Sequence, residues 1–266
     1  MVNHAITGAE RFRKGEIMAK QLLFYEDVKP IVLERHKGWS MQRGENYAFA
    51  AESNAVPLMC AEFQAACADL PVVFGKNESG YAPIVVLGIE QSKSLMVGED
   101  GVWKGGYVPA FIRRYPFVFA EGEDKKTFTL CIDEGYGGCD PQGKKGERLY
   151  NDEGEPTEML NTALEFSKNF EMETRRTQQF CKLLEEHELF DPMQAGIKMP
   201  DGQTRAVTGF HVVNKERLKE LSDDVVKDFF QRYGSRLALL LLVFVGFYRI
   251  SDIVLGVISN VFFEDI

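Results

Sequence analysis

The sequence predicts an α+β protein: an antiparallel β meander, then a long amphipathic helix, two late strands and C-terminal helices. Three observations carry this. Short β-branched and aromatic runs, separated by Gly and acidic turns, fill residues 72–132. One long apolar stripe at helical spacing follows Pro156. A second pair of strand-like runs then precedes helical and strongly apolar sequence. Strands in one block and helices in another is the α+β pattern.

Residues 22–49 read as short strands and turns, punctuated by Pro30, Gly38 and Gly44. Residues 57–69 read as a helix, with Pro57 suited to its first turn and Pro71 beyond its end. Val72-Val73-Phe74 and Ile84 to Ile89 read as buried strands. Leu95-Met96-Val97, the Asp100-Gly101 turn signal and Trp103 extend the meander. Phe117-Val118-Phe119 and Thr127 to Ile132 form a further hairpin around Glu121-Gly122-Glu123-Asp124. Residues 133–156, rich in Gly, Lys and acids, read as a long loop. From Pro156 to about Leu189 the residues Leu160, Ala163, Leu164, Phe170, Phe180, Leu183 and Leu184 line one helix face. Ile197-Lys198-Met199 and Ala206 to Val213 read as strands around Asp201-Gly202, and Leu218 to Phe230 as helix.

The chain has 266 residues and a formal charge of −9. An acidic surface repels phosphate backbones, so nucleic acid is excluded as the main partner. Apolar residues at 45% and charged residues at 27% exclude collagen-like and wholly disordered chains. Five cysteines without a C-x-x-C pair read as free thiols of a reducing compartment, which places the chain in the cytoplasm. His4, His36, His187 and His211 are scattered without ligand spacing, so no metal and no cofactor is expected.

The two ends differ from the middle. Residues 1–17 carry no secretory h-region. Lys14-Gly15-Glu16-Ile17 can be encoded by purine-rich codons resembling a bacterial ribosome-binding site just before Met18, so 1–17 read as translated leader. Residues 18–232 form the main domain. Residues 233–266 hold an unbroken apolar run, Leu237 to Tyr248, resumed from Ile253 to Phe263. Residues 237–263 together are long enough to cross a bilayer, with the main domain on the cytoplasmic side. The first run alone matches a core or oligomer helix equally well.

Two segments carry candidate chemistry. Arg113 and Arg114 lie in Tyr107-Val108-Pro109-Ala110-Phe111-Ile112-Arg113-Arg114-Tyr115-Pro116-Phe117. Arginines held by aromatic stacking make carboxylate or phosphate clamps. Asp133 and Glu134 end the strand at Cys131. Neighbouring strand side chains point to opposite faces, so these two do not act readily as one catalytic pair. The blander reading makes them turn-opening acids or partners of Arg113 and Arg114. Gly138 to Lys145 nearly fits a phosphate loop, but Lys145 replaces the required hydroxyl and a turn follows instead of a helix. No G-x-S-x-G or H-E-x-x-H pattern occurs, so the reading leans away from catalysis.

Several blocks together resemble the SapC family of bacterial proteins. They are Leu23-Phe24-Tyr25, Glu34-Arg35-His36, Phe49-Ala50-Ala51, Asn54-Ala55-Val56-Pro57-Leu58 and Pro71-Val72-Val73-Phe74. The block Tyr107 to Phe117, Cys131-Ile132-Asp133-Glu134, Asp152 to Thr157, Arg175-Arg176-Thr177 and Gly209-Phe210 continue the likeness over roughly residues 18–232. The resemblance implies a binding or accessory protein of the cell envelope or surface layer. It carries no established reaction. The expected partner is a protein or small ligand of the envelope, met by Arg113, Arg114, Tyr115, Asp133 and Glu134. Two alternatives remain: an enzyme of unknown reaction using the same residues, and a membrane-tethered fragment. Phe247-Tyr248-Arg249-Ile250-Ser251-Asp252 with Leu255-Gly256-Val257 resembles a transmembrane helix of muropeptide permeases of the major facilitator type.

Overall fold

A computed structural model describes residues 23–122, 127–198, 204–229 and 231–232. The expected leader at 1–17, the apolar tail at 233–266 and residues 123–126 and 199–203, where turns are expected, lie outside the described residues. The chain divides into two compact units. The first comprises residues 1–50, 100–102 and 112–171; the second comprises 51–99, 103–111 and 172–266.

In the first unit β1 (Val28–Pro30), β7 (Phe128–Asp133) and β6 (Phe117–Glu121) form an antiparallel sheet in that order. Phe117↔Ile132 and Glu121↔Phe128 set the register of the expected hairpin. Val28↔Asp133 sets that of β1. The region expected to be one long loop contains β8 (Cys139–Asp140) and β9 (Glu147–Arg148). Both flank β2 (Ser40–Met41). Two-residue strands have no readable period, and only their distant partner makes them strands. A single helical turn, α1 (Leu33–His36), joins β1 to β2.

The core of this unit gathers Ile31, Met41, Phe117, Ile132, Leu149 and Tyr150 under Met159, Leu160 and Ala163. Those last three stand on the first half of α4 (Glu158–Glu186), the helix expected from Pro156 onward. Of the seven stripe residues, six are buried and Leu164 is half-buried.

The second unit is built on a five-stranded sheet. Its order is β10 (Phe190–Lys198), β11 (Thr204–Val213), β4 (Val72–Asn77), β5 (Gly80–Val86) and β3 (Ala55–Pro57). All its pairings are antiparallel. One set of its side chains packs as an aromatic core: Phe63 meets Phe74 and Phe180, and Phe74 meets Phe190. A smaller apolar cluster joins Val73, Phe210 and Val212.

The expected helix at 57–69 is mostly not one. Pro57 ends an edge strand, where a residue without an N–H is tolerated. A 3-10 turn, Cys60–Glu62, and the short α2 (Phe63–Ala66) follow. The expected helix at 218–230 starts earlier and breaks. Asn214 caps α5 (Lys215–Lys219) by accepting the Arg217 amide at 2.8 Å. Ser222, ahead of two aspartates, then opens a new helical stretch at 223–229. The Asp100-Gly101 turn is present: Val97 bridges Trp103, and Gly101 takes a φ of +80° that its missing Cβ permits. No helix among the described residues is long and apolar enough to cross a membrane.

Candidate functional site

Asp133, the last residue of β7, is fully buried. Its position opposite Val28 brings the chain entering β1 against its carboxylate. Oδ2 accepts the Glu26 amide at 2.9 Å and the Tyr115 hydroxyl at 3.2 Å. Oδ1 accepts the amides of Asp27 at 2.8 Å and Gly135 at 3.0 Å. Four neutral donors therefore hold this carboxylate, two on each oxygen.

Glu134 turns to another set of groups, as adjacent positions require. The Arg35 guanidinium donates to both of its oxygens. The His36 Nε2 lies 3.2 Å from Oε1. His36 is wholly buried, whereas Arg35 is exposed by about half. Burial lowers the His36 pKa, opposed by the Val32 carbonyl and by Glu134. Among the described residues neither acid pairs with Arg113 or Arg114, which corrects that arm of the blander expectation; Asp133 does open a turn, its Oδ1 accepting the Gly135 amide. The reason is topological: the β1–β7 pairing delivers residues 26–36 to this strand end first.

The two arginines part company. Arg114 is buried at 4% exposure. Its guanidinium lies 4.7 Å from the Phe170 ring centre and 5.8 Å from that of Tyr25. Burial lowers its pKa while the Tyr25 hydroxyl and Glu171 support the charge. Arg113 is exposed, with its guanidinium 5.6 Å from the Phe166 ring. Phe166 lines an open depression on α4 together with Glu158, Asn161, Thr162, Glu165 and Asn169.

Tyr115 is the hub of the site. Phe49 stacks on it at 4.2 Å and 29°. Phe24, Tyr25 and Tyr136 meet it edge-on at 5.5, 5.1 and 5.3 Å. All five rings are half-buried. Tyr25 donates its hydroxyl to the Phe117 carbonyl at 2.7 Å, and Tyr136, at the surface, donates to the Gln42 carbonyl at 3.2 Å. Burial raises the Tyr25 pKa to about 12, and burial with Asp133 and Glu26 nearby raises that of Tyr115 further. The Tyr25 and Tyr115 phenols thus stay protonated.

The structure unites Tyr115 with Asp133, sends Glu134 to Arg35 and His36, and separates Arg113 from Arg114. Sequence reasoning missed Phe24, Tyr25, Phe49 and Tyr136 as parts of this site. Phe24-Tyr25 and Phe49 stood within the family-like blocks, but nothing local links them to residue 115. The phosphate-loop reading stays rejected on geometry. The Asp140 carboxylate itself accepts the amides of Gln142, Lys144 and Lys145 at 2.8–2.9 Å. Among the described residues no group of His, Cys, Asp and Glu is placed to hold a metal ion.

No curated protein and no solved structure matches the chain. A family model, SapC, matches residues 33–245. That span contains the Arg35–Glu134 pair, the Asp133 anchor, Phe49, Tyr115 and Tyr136. By a match over most of its length, the chain belongs to the SapC family.

Proposed function

We propose that this SapC-family chain is a binding or accessory protein of the bacterial cell envelope or surface layer. The surface around Tyr115 is where it holds its partner, a protein or small ligand of the envelope. The observation that carries the reading is the convergence of four half-buried rings on one tyrosine, from three other stretches of chain. Clustered, partly exposed aromatics supply large contact area at little cost in side-chain freedom. Arg113, exposed beside Phe166, adds a second contact. Asp133 and Glu134 act as anchors of this surface. Their oxygens are taken by internal donors, which favours binding over acid–base catalysis. The chain works from the cytoplasmic side, and residues 237–263 attach it to the inner membrane.

The test is retention of the full chain on envelope fragments washed with detergent to remove bilayer attachment. Tyr136→Ala should lower the retained fraction about fivefold, as expected for losing one contact ring worth about 1 kcal/mol. Lys182→Ala, at an exposed position of α4 in the second unit, should leave it unchanged. Equal retention of wild type and Tyr136→Ala overturns the assignment of this surface. Carbonate extraction of the full chain beside one ending at Arg232 tests the membrane attachment.

A further inference from the structure

The aromatic surface around Tyr115 has an electrostatic character as well as a shape. The π-faces of its rings are electron-rich. The buried Asp133 carboxylate beneath them is held by three backbone amides and a phenol, with no cation among its partners. Glu26, exposed, lies at the same border: a side chain added at Gly135 would meet both Glu26 Oε2 and Asp133 Oδ1 at 3.2 Å. The field of Glu26 and Asp133 reaches the Tyr115 hydroxyl and helps to hold its proton. Asp27 is exposed next to Glu26, with Lys29 as its partner. Two positive groups face the region. Buried Arg114 sits against Tyr25, and exposed Arg43 lies 5.6 Å from the Phe117 ring. Both engage ring faces, as Arg113 does with Phe166. Guanidinium-on-ring contact is thus a recurring interaction of this unit. Phe49, Tyr115 and Tyr136 are partly exposed, and exposed Glu26 lies near the Tyr115 hydroxyl.

Resting on the binding role assigned above, we infer that this surface docks a basic protein segment, whose Lys or Arg side chains lie over the Phe49, Tyr115 and Tyr136 rings beside Glu26. Charge complementarity selects this occupant. A carboxylate-bearing segment would meet Glu26 and the field of Asp133, and a cation over an aromatic face gains where an anion loses.

The experiment titrates the isotope-labelled full chain with three probes: a ten-residue Lys-Gly repeat peptide, the matching Glu-Gly peptide and an N-acetylglucosamine oligomer. Binding of the Lys-Gly peptide should shift the signals of Glu26, Phe49, Tyr115 and Tyr136. Glu26→Gln and Tyr136→Leu should each weaken it about threefold to fivefold, the usual worth of one cation–π or surface charge contact. Glu26→Gln alters no contact of the core, so it keeps the test valid if Tyr136→Leu is poorly folded. Equal affinity of both variants and wild type for the Lys-Gly peptide overturns the inference. Binding of the Glu-Gly peptide or the oligosaccharide at these residues also overturns it, yet leaves the binding surface standing. If no probe shifts these signals the cationic assignment falls, and envelope retention of Tyr136→Ala separately decides the broader role.

Discussion

Asp133 shows how much one side chain can organise. It fastens the chain before β1, the turn after β7 and Tyr115 to a single point. Asp133→Asn keeps the volume but turns one acceptor oxygen into a donor facing two other donors. It should destabilise the fold by about 2–4 kcal/mol, read from urea unfolding. Tyr115→Phe removes one hydrogen bond and should cost only about 1 kcal/mol. The Arg35–Glu134 pair is weaker because Arg35 is half in water. A double-mutant cycle with Arg35→Met and Glu134→Gln should give a coupling of about 1 kcal/mol. His36 gives the pH dependence. Its folded pKa lies below the ordinary 6.5 because burial penalises the imidazolium. The unfolded chain therefore takes up the proton first as pH falls. Stability present above pH 6.5 should be lost as pH falls through the folded value, and the loss should be shallower in His36→Gln. Of this site, the sequence showed Tyr115, Asp133 and Glu134 as residues of interest. It did not show their partners, which apart from Gly135 lie 18 to 107 positions away.

At the scale of elements, long periodic segments were legible and short ones were not. The α4 stripe and the β6–β7 hairpin follow from local pattern alone. The strands β2, β8 and β9, two residues each, exist only through their pairing. The stretch at 57–69 misled because Pro57 suits both a first helical turn and an edge strand, and pairing with β5 decides between them. The loop after β8 wraps on the Asp140 carboxylate, with Gly143 at φ +67°. A Cβ there would stand 2.5 Å from the Gly38 carbonyl oxygen. Gly143→Ala should therefore cost about 1–3 kcal/mol, measured by thermal unfolding. Gly137→Ala, with nothing within 4 Å of its added Cβ, should be near neutral.

Over the whole molecule, all five cysteines are free thiols. Burial pushes the thiol of Cys67 up to about 11, those of Cys131, Cys139 and Cys181 to about 12, and Cys60 well above its ordinary value. The thiolate is the reactive form, so the native chain at pH 8 should label slowly with a disulfide reagent and rapidly in urea. Rapid labelling of the native chain would contradict this burial pattern. The sequence by itself determined the α+β class, the hairpins and the long helix, because these rest on periodicities read within one segment, and the family likeness, because it rests on short blocks of residues. Tertiary structure alone decided that Asp133 anchors the chain before β1, that Glu134 serves Arg35 and His36, that Arg114 is buried while Arg113 is exposed, and that four rings meet at Tyr115. These depend on the β1–β7 register, which joins residues about a hundred positions apart. Local sequence fixes which face a side chain takes, but only long-range pairing fixes what stands opposite it.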